Sequence, residues 1–222
     1  VFQAGWIDFL RGEFDLAIPQ LRHALATHEA SIEGRDTDRL HVLRTTLAQT
    51  LIASGQADAQ ARELLESVIR ERSHVEPEAL GVALAYARLP LAHWHTLNGE
   101  YDAAEHLLDQ VEAVGTRVEA EVHARAADTR AKILQTRGDL AGAMQQAQSA
   151  YDITLNDRGA GNPRTARYAL AYAAALRKTG DIAKAESLER EYQPLLEAAY
   201  PPTSAYRNSM PLPPPTGAPA SL

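Results

Sequence analysis

The sequence predicts an all-α protein, a solenoid of about five helical hairpins stacked in series along one elongated domain. Three observations carry this reading. A glycine recurs at Gly12, Gly55, Gly99, Gly138 and Gly180, with spacings of 43, 44, 39 and 42 residues. Each has a small residue seven positions before it: Gly5, Ala48, Ala92, Ala131 and Ala173. Four have an alanine five positions after (Ala17, Ala104, Ala143, Ala185), and Ala61 stands one place late in the second copy. The third observation is compositional: alanine is abundant and β-branched residues are sparse, which favours helix over strand.

The hairpins are expected at about 1–25, 40–72, 78–113, 121–155 and 164–198. In the first, Gly5 and Ala17 stand where two helices cross, since anything larger than alanine would push the pair apart. The polar stretch Glu33-Gly34-Arg35-Asp36 connects it to the second hairpin. In the third, Pro90 falls inside the first helix and removes an internal hydrogen bond, which predicts a kink or break near Arg88-Leu89. In the fourth, the run from His123 to Arg137 is a strong helix former. Gly138 fits the left-handed cap that ends it, and a new helix starts around Asp139 to Ala141. Asp15, Asp58 and Asp102 follow three other glycines and are placed to cap the second helices. Asn162-Pro163 opens the fifth hairpin as an N-cap followed by proline at the first helical position. After Tyr200 the prolines multiply, and residues 199–222 are expected to form a disordered or polyproline-like tail.

Composition narrows the function classes. The net charge of -7 argues against broad nucleic-acid affinity, which needs a basic excess. That total hides an asymmetry: residues 1–121 carry 20 acidic and 10 basic side chains, residues 122–222 carry 9 and 12. The absence of cysteine excludes disulfides, thiolate zinc sites and cysteine nucleophiles. No apolar run approaches the roughly 18 residues of a membrane span. Val1-Phe2-Gln3-Ala4 is neither a start methionine nor a basic leader, so a piece of a longer protein is expected.

The segments Gly12-Glu-Phe-Asp-Leu-Ala17, Gly99-Glu-Tyr-Asp-Ala-Ala104 and Gly180-Asp-Ile-Ala-Lys-Ala185 resemble the turn and second-helix signature of tetratricopeptide repeats. The repeat length near 42 and the Asn162-Pro163 start are similar to the long-repeat class typified by kinesin light chains. The resemblance covers the chain to about residue 198. It implies a right-handed α-α superhelix whose first helices line a concave groove for peptides or protein segments. It also implies a bacterial signalling setting, in which such arrays accompany serine/threonine kinases or transcriptional regulators; a cytoplasmic location is expected, with a periplasmic one left open. The richness in arginine over lysine, 19 against 3, is consistent with a high-GC bacterial source.

Groove-facing positions of the family fall on Trp6, Phe9, Thr45, Thr46, Gln49, Tyr86, His93, Arg125, Asp128, Thr129, Lys132, Arg167, Arg177 and Lys178. Partner-binding roles are expected for Gln49, Tyr86, His93, Arg125, Asp128, Thr129, Lys132, Arg167 and Arg177. Hydroxyl and amide groups would set the register of an acidic segment, and arginine forks would hold its carboxylates. The corresponding positions hold no asparagine, so the terminal-carboxylate clamp of chaperone-binding members is not expected.

No catalytic residue, metal site or cofactor is expected. His93 and His95 are two apart on a helix and diverge, so they cannot share an ion readily. Glu63, Glu66, Glu119 and Glu121 read as exposed helical faces. The leading expectation is a non-catalytic scaffold or sensor region that binds a protein or peptide. A self-association module giving a homo-oligomer, and a peptide-pheromone receptor region controlling an attached domain, stay open beside it.

Overall fold

A computed structural model of the chain describes residues 2–31, 37–56, 59–73 and 77–208. Among them no strand occurs, and the helices pair in sequence as five antiparallel hairpins. These are α1 (Phe2–Arg11) with α2 (Phe14–Ser31), α3 (Thr37–Ala53) with α4 (Ala59–Arg72), and α5 (Pro77–Leu97) with α6 (Tyr101–Glu112). They continue with α7 (Ala120–Thr136) and α8 (Leu140–Arg158), then α9 (Pro163–Thr179) and α10 (Ile182–Ala199). A single 3-10 turn at Gly115–Arg117 links the third pair to the fourth, and α11 (Ala205–Asn208) ends the described chain.

The small residues serve the close crossing that their spacing implied. A Cβ on Gly5 would lie 3.1 Å from both Gln20 Cβ and Leu21 Cγ, so α1 and α2 touch there almost backbone to backbone. Ala17, Ala48, Ala61, Ala92, Ala104, Ala173 and Ala185 are all fully buried. All five repeat glycines take positive φ, from 72° at Gly12 to 93° at Gly180. At Gly180 this reverses the chain so that the Asp181 N–H donates to the Leu176 carbonyl at 3.0 Å, closing the helix end. The same five-residue closure recurs as Glu13 to Asp8, Glu100 to His95 and Asp139 to Leu134, each at 2.9 Å.

The core changes character along the array. Its first part is built from large groups, including Phe9, Leu21, Leu47, Leu65 and Trp94. From α7 onward alanine dominates, with Ala131, Ala147, Ala173 and Ala185 packed against Tyr172 and Leu176. Alanine buries little area per residue, so ion pairs between neighbouring helices take a larger share of that half. Arg130 of α7 shows this, reaching Glu105 at 3.1 Å, Asp109 at 2.7 Å and also Glu112, all on α6.

Four expectations are corrected. The first hairpin extends to Ser31 rather than residue 25. Asp15 and Asp102 lie inside the first turn, one residue past the helix start, because Phe14 and Tyr101 begin those helices. Their carboxylates act there through the positive helix end rather than as caps. The aspartate caps are Asp139, which accepts from the Gly142 N–H at 2.9 Å, and Asp181, which accepts from Lys184 N–H at 3.2 Å. Asn162 caps α9 as expected, while Asp58 lies outside the described residues. Third, α5 is continuous through Pro90, so the break expected as one alternative near Arg88-Leu89 does not occur. Leu89, Leu91 and Ala92 around it are buried between α4, α6 and α7, and that packing holds the helix despite one missing backbone bond.

The fourth correction matters most. The chain does not lose structure at residue 199. After Pro201-Pro202 it turns back and docks on the first hairpin, where Ala205 N–H donates to the Gly12 carbonyl at 3.0 Å. The Tyr206 ring meets Phe14 edge-on at 5.5 Å and joins the same core as Phe9 and Leu47. The last segment thereby ties the two ends of the array together. Residues 209–222, where the proline-rich tail was expected, lie outside the described residues.

Candidate functional site

The first helices carry a polar face whose side chains repeat at helical spacing. On α7 these are Glu121, Arg125, Asp128 and Lys132, at successive intervals of four, three and four residues, so one stripe holds alternating charges. Arg164 and Arg167 of α9, His93 of α5 and Gln49 of α3 extend it. The docked segment 204–207 lies against this face. The guanidinium carbon of Arg167 stands 4.7 Å from the centre of the Tyr206 ring, a cation–π contact.

Burial is the first property of this face. Arg125 is 1% exposed, Arg167 2% and Tyr206 0%. Glu121, expected on a solvated face, is 1% exposed, which corrects that reading. Its Oε2 faces Arg158 Nε at 3.5 Å and Arg164 Nη1 at 3.8 Å, while Oε1 accepts from the Tyr168 hydroxyl at 3.3 Å. Burial drives the Tyr168 phenol well above its ordinary pKa, and the Glu121 charge adds to that. Asp128 is held by Lys132 at 2.8 Å. The two buried carboxylates pair with Lys132, Arg158 and Arg164, and an exposed third, Asp157, helps Arg158 at 3.3 Å. Arg125 and Arg167 add two further cations with no ion pair among the described residues. The face carries excess positive charge.

Burial also lowers the pKa of Arg125, although Tyr168 and Glu121 act the other way. His93 falls well below its ordinary 6.5, mainly by burial and then by the charges of Lys132 and Arg125. It is therefore neutral at neutral pH. Gln49 and His93 have side-chain polar atoms without hydrogen-bond partners, as do Arg125, Arg167 and the Tyr206 hydroxyl.

The nine expected binding residues divide into three sets. Gln49, His93, Arg125, Asp128, Thr129 and Arg167 are buried, so they do not form a solvent-open floor while residues 204–207 are docked. Thr129 spends its hydroxyl on the Arg125 carbonyl at 2.9 Å. Tyr86 and Lys132 are half-buried at the rim. Burial, with Glu119 nearby, raises the Tyr86 phenol pKa. Arg177 stands apart on the exposed end of α9, forked onto Glu189 at 2.8 and 2.5 Å. Sequence reasoning missed Glu121, Arg164, Tyr168 and Tyr206. The four-three-four spacing through Arg125 was a readable signal for Glu121; Tyr206, a lone aromatic among prolines, offered none.

A cleft of about 610 Å³ opens beside the docked segment, between the α1–α2 turn at Gly12–Leu16, the α3–α4 turn at Ala53–Gly55, and Thr203 and Ala205. Among the described residues no group of three His, Cys, Asp or Glu side chains is placed to hold a metal ion, and no helix is long and apolar enough to cross a membrane. The chemistry this arrangement offers is recognition by donors and charge.

No family model matches the sequence, and no curated protein matches it significantly. Solved structures do. The nearly identical TPR-like repeats of a Podosopora anserina protein described as a kinesin light chain superpose with a TM-score of 0.59 at 18% identity, covering 89% of this chain and 93% of that one. A second structure of those repeats gives 0.57 at 18%, covering 89% and 94%. BtubC (BKLC) from P. vanneervenii gives 0.62 at 20%, covering 89% and 80%. At these identities the likeness concerns the fold, and the fold is a TPR-like helical-repeat superhelix.

Proposed function

We propose that this chain is a non-catalytic protein-interaction module whose inner face captures an extended, acidic segment of a partner protein, in the cytoplasm and within a bacterial signalling protein such as a serine/threonine kinase. One observation carries the reading: the inner face already receives polypeptide, because residues 204–207 dock there with Tyr206 against Arg167. The cationic excess of the face favours a segment rich in carboxylates, and arginine suits them through its planar fork. The partner's segment enters along the rim marked by Tyr86 and Lys132 and displaces residues 204–207.

A photo-crosslinking residue at Tyr86 should capture acidic peptides, and Lys132→Gln should weaken capture and reduce its sensitivity to salt. No capture from Tyr86, with capture instead by the same crosslinker placed on the outer helices α2, α4, α6, α8 or α10, would remove the groove from the proposal. Self-association is a second reading, favoured by Ile7 and Leu16 of the first hairpin, which are 47% and 55% exposed. Sedimentation of Leu16→Glu against the wild type tests it, and concentration-independent monomers of both exclude it.

A further inference from the structure

We propose that Arg125 and Arg167, closed over by Tyr206, form an enclosed binding site for a small free oxyanion of the carboxylate or phosphate class. The argument starts from unpaired donors. Nε and Nη2 of Arg125, and Nε and Nη1 of Arg167, have no hydrogen-bond partner although both side chains are almost wholly buried. The Tyr206 hydroxyl between the same elements is buried and unpaired too. Buried polar atoms are nearly always satisfied, and an unpaired buried cation is the costliest exception. The neighbouring carboxylates are already engaged: Glu121 by Arg158, Arg164 and Tyr168, and Asp128 by Lys132. Among the described residues no carboxylate forms an ion pair with either arginine, and Glu121 acts on Arg125 only from a distance.

Several elements converge on the site. Arg125 comes from α7, Arg167 from α9 and Tyr206 from the docked segment, and Tyr206 lies within electrostatic reach of both guanidiniums. Two cationic guanidinium forks donate, and a phenol hydroxyl can donate beside them, which suits an oxyanion with several acceptor oxygens. The enclosure sets the size. With Tyr206 and Arg125 sealed from solvent, a threaded polypeptide does not fit while residues 204–207 remain docked, so the guest is small. It is distinct from the acidic segment of the proposed function, and it enters when the segment lifts. That segment follows the Pro201-Pro202 turn and is held by the Ala205–Gly12 bond, a 3.4 Å contact from Thr203 to Glu13 and the buried Tyr206 ring, so entry requires its transient release.

Calorimetric titration of the full chain with sodium phosphate, and separately with citrate, in chloride at constant ionic strength tests the site. Wild type should bind at least one of them with micromolar affinity. Arg125→Gln and Arg167→Gln should each weaken it by about thirtyfold or more, and Arg167→Lys, which keeps the charge but loses the fork, by about tenfold. Binding of phosphate alone assigns a phosphorylated guest, and of citrate alone a carboxylate. If the glutamine variants do not fold, Arg167→Lys and hydrogen exchange of wild-type residues 200–208 decide, with exchange slowed by the bound anion relative to chloride. Absence of binding by wild type, or equal binding by all folded variants, overturns the proposal. Neither result bears on peptide capture at Tyr86, which is read separately.

Discussion

Replacing Gly12 and Gly180 by alanine, one at a time, separates the two things a repeat glycine does here. Both have positive φ, 72° and 93°, where a Cβ costs about 1–2 kcal/mol. At Gly180 the added Cβ meets nothing within 4 Å, so the backbone cost is the whole effect. At Gly12 it would lie 2.5 Å from Ser204 Oγ and 2.9 Å from Tyr206 Cδ2, distances that force the docked segment away. Releasing Tyr206 forfeits the burial of an aromatic side chain, about 1.5–3 kcal/mol, with about 0.5–1 kcal/mol from its ring contacts. Gly180→Ala should therefore cost about 1–2 kcal/mol and Gly12→Ala about 3–6 kcal/mol by urea unfolding. Hydrogen exchange at Ala205 and Tyr206 should accelerate in Gly12→Ala only. The double variant Gly12→Ala with Tyr206→Ala should cost little more than Gly12→Ala alone, since the seat is already vacated. Equal losses at the two glycines, or undisturbed protection of residues 205 and 206 in Gly12→Ala, would refute the end-to-end closure.

Two further outcomes follow from the buried charges. His93 is held neutral, so its proton binds the unfolded chain more tightly than the folded one. Its stabilising contribution is complete above the ordinary value of 6.5 and is lost as the pH falls from there toward the lowered folded value. The wild type should lose up to about 1.4 kcal/mol per pH unit from this group below that point, and His93→Gln should flatten that slope in melts taken between pH 7 and about pH 5. Glu121→Gln keeps the shape but leaves Arg158 and Arg164 without their shared carboxylate; both are partly exposed, so chemical denaturation should show a loss of about 2–3 kcal/mol.

The repeating part of this fold was legible because close helix crossing imposes one steric rule at every copy. Gly5, Ala48, Ala92, Ala131 and Ala173 obey it, as do the glycines that reverse the chain. Helix ends were read less well at Asp15 and Asp102, since a large aromatic just before each aspartate starts the helix earlier than a capping rule alone suggests. Pro90 misled for a related reason: the penalty of a missing bond is local, whereas the packing of Leu89, Leu91 and Ala92 that outweighs it is supplied by three other helices. Repeat register named Gln49, His93, Arg125 and Arg167 as polar positions of the first helices, and gave no sign that they are buried.

Beside these buried residues lies a contact between distant parts of the sequence, from Gly12 to Ala205, which no periodicity encodes. A solenoid built from near-neighbour contacts has no intrinsic reason to meet its own beginning. Here residues 204–207 supply one, and they bring Tyr206, fully buried, against Arg167 of the cation-rich face. The stability of the ends and the accessibility of Arg125 and Arg167 are then one equilibrium. Any occupant that prefers the open inner face must offset the docking of Tyr206, and any small anion that prefers the closed one adds to it. Loss of Tyr206 should therefore favour segment capture and disfavour anion retention, shifting the two in opposite directions from a single side chain.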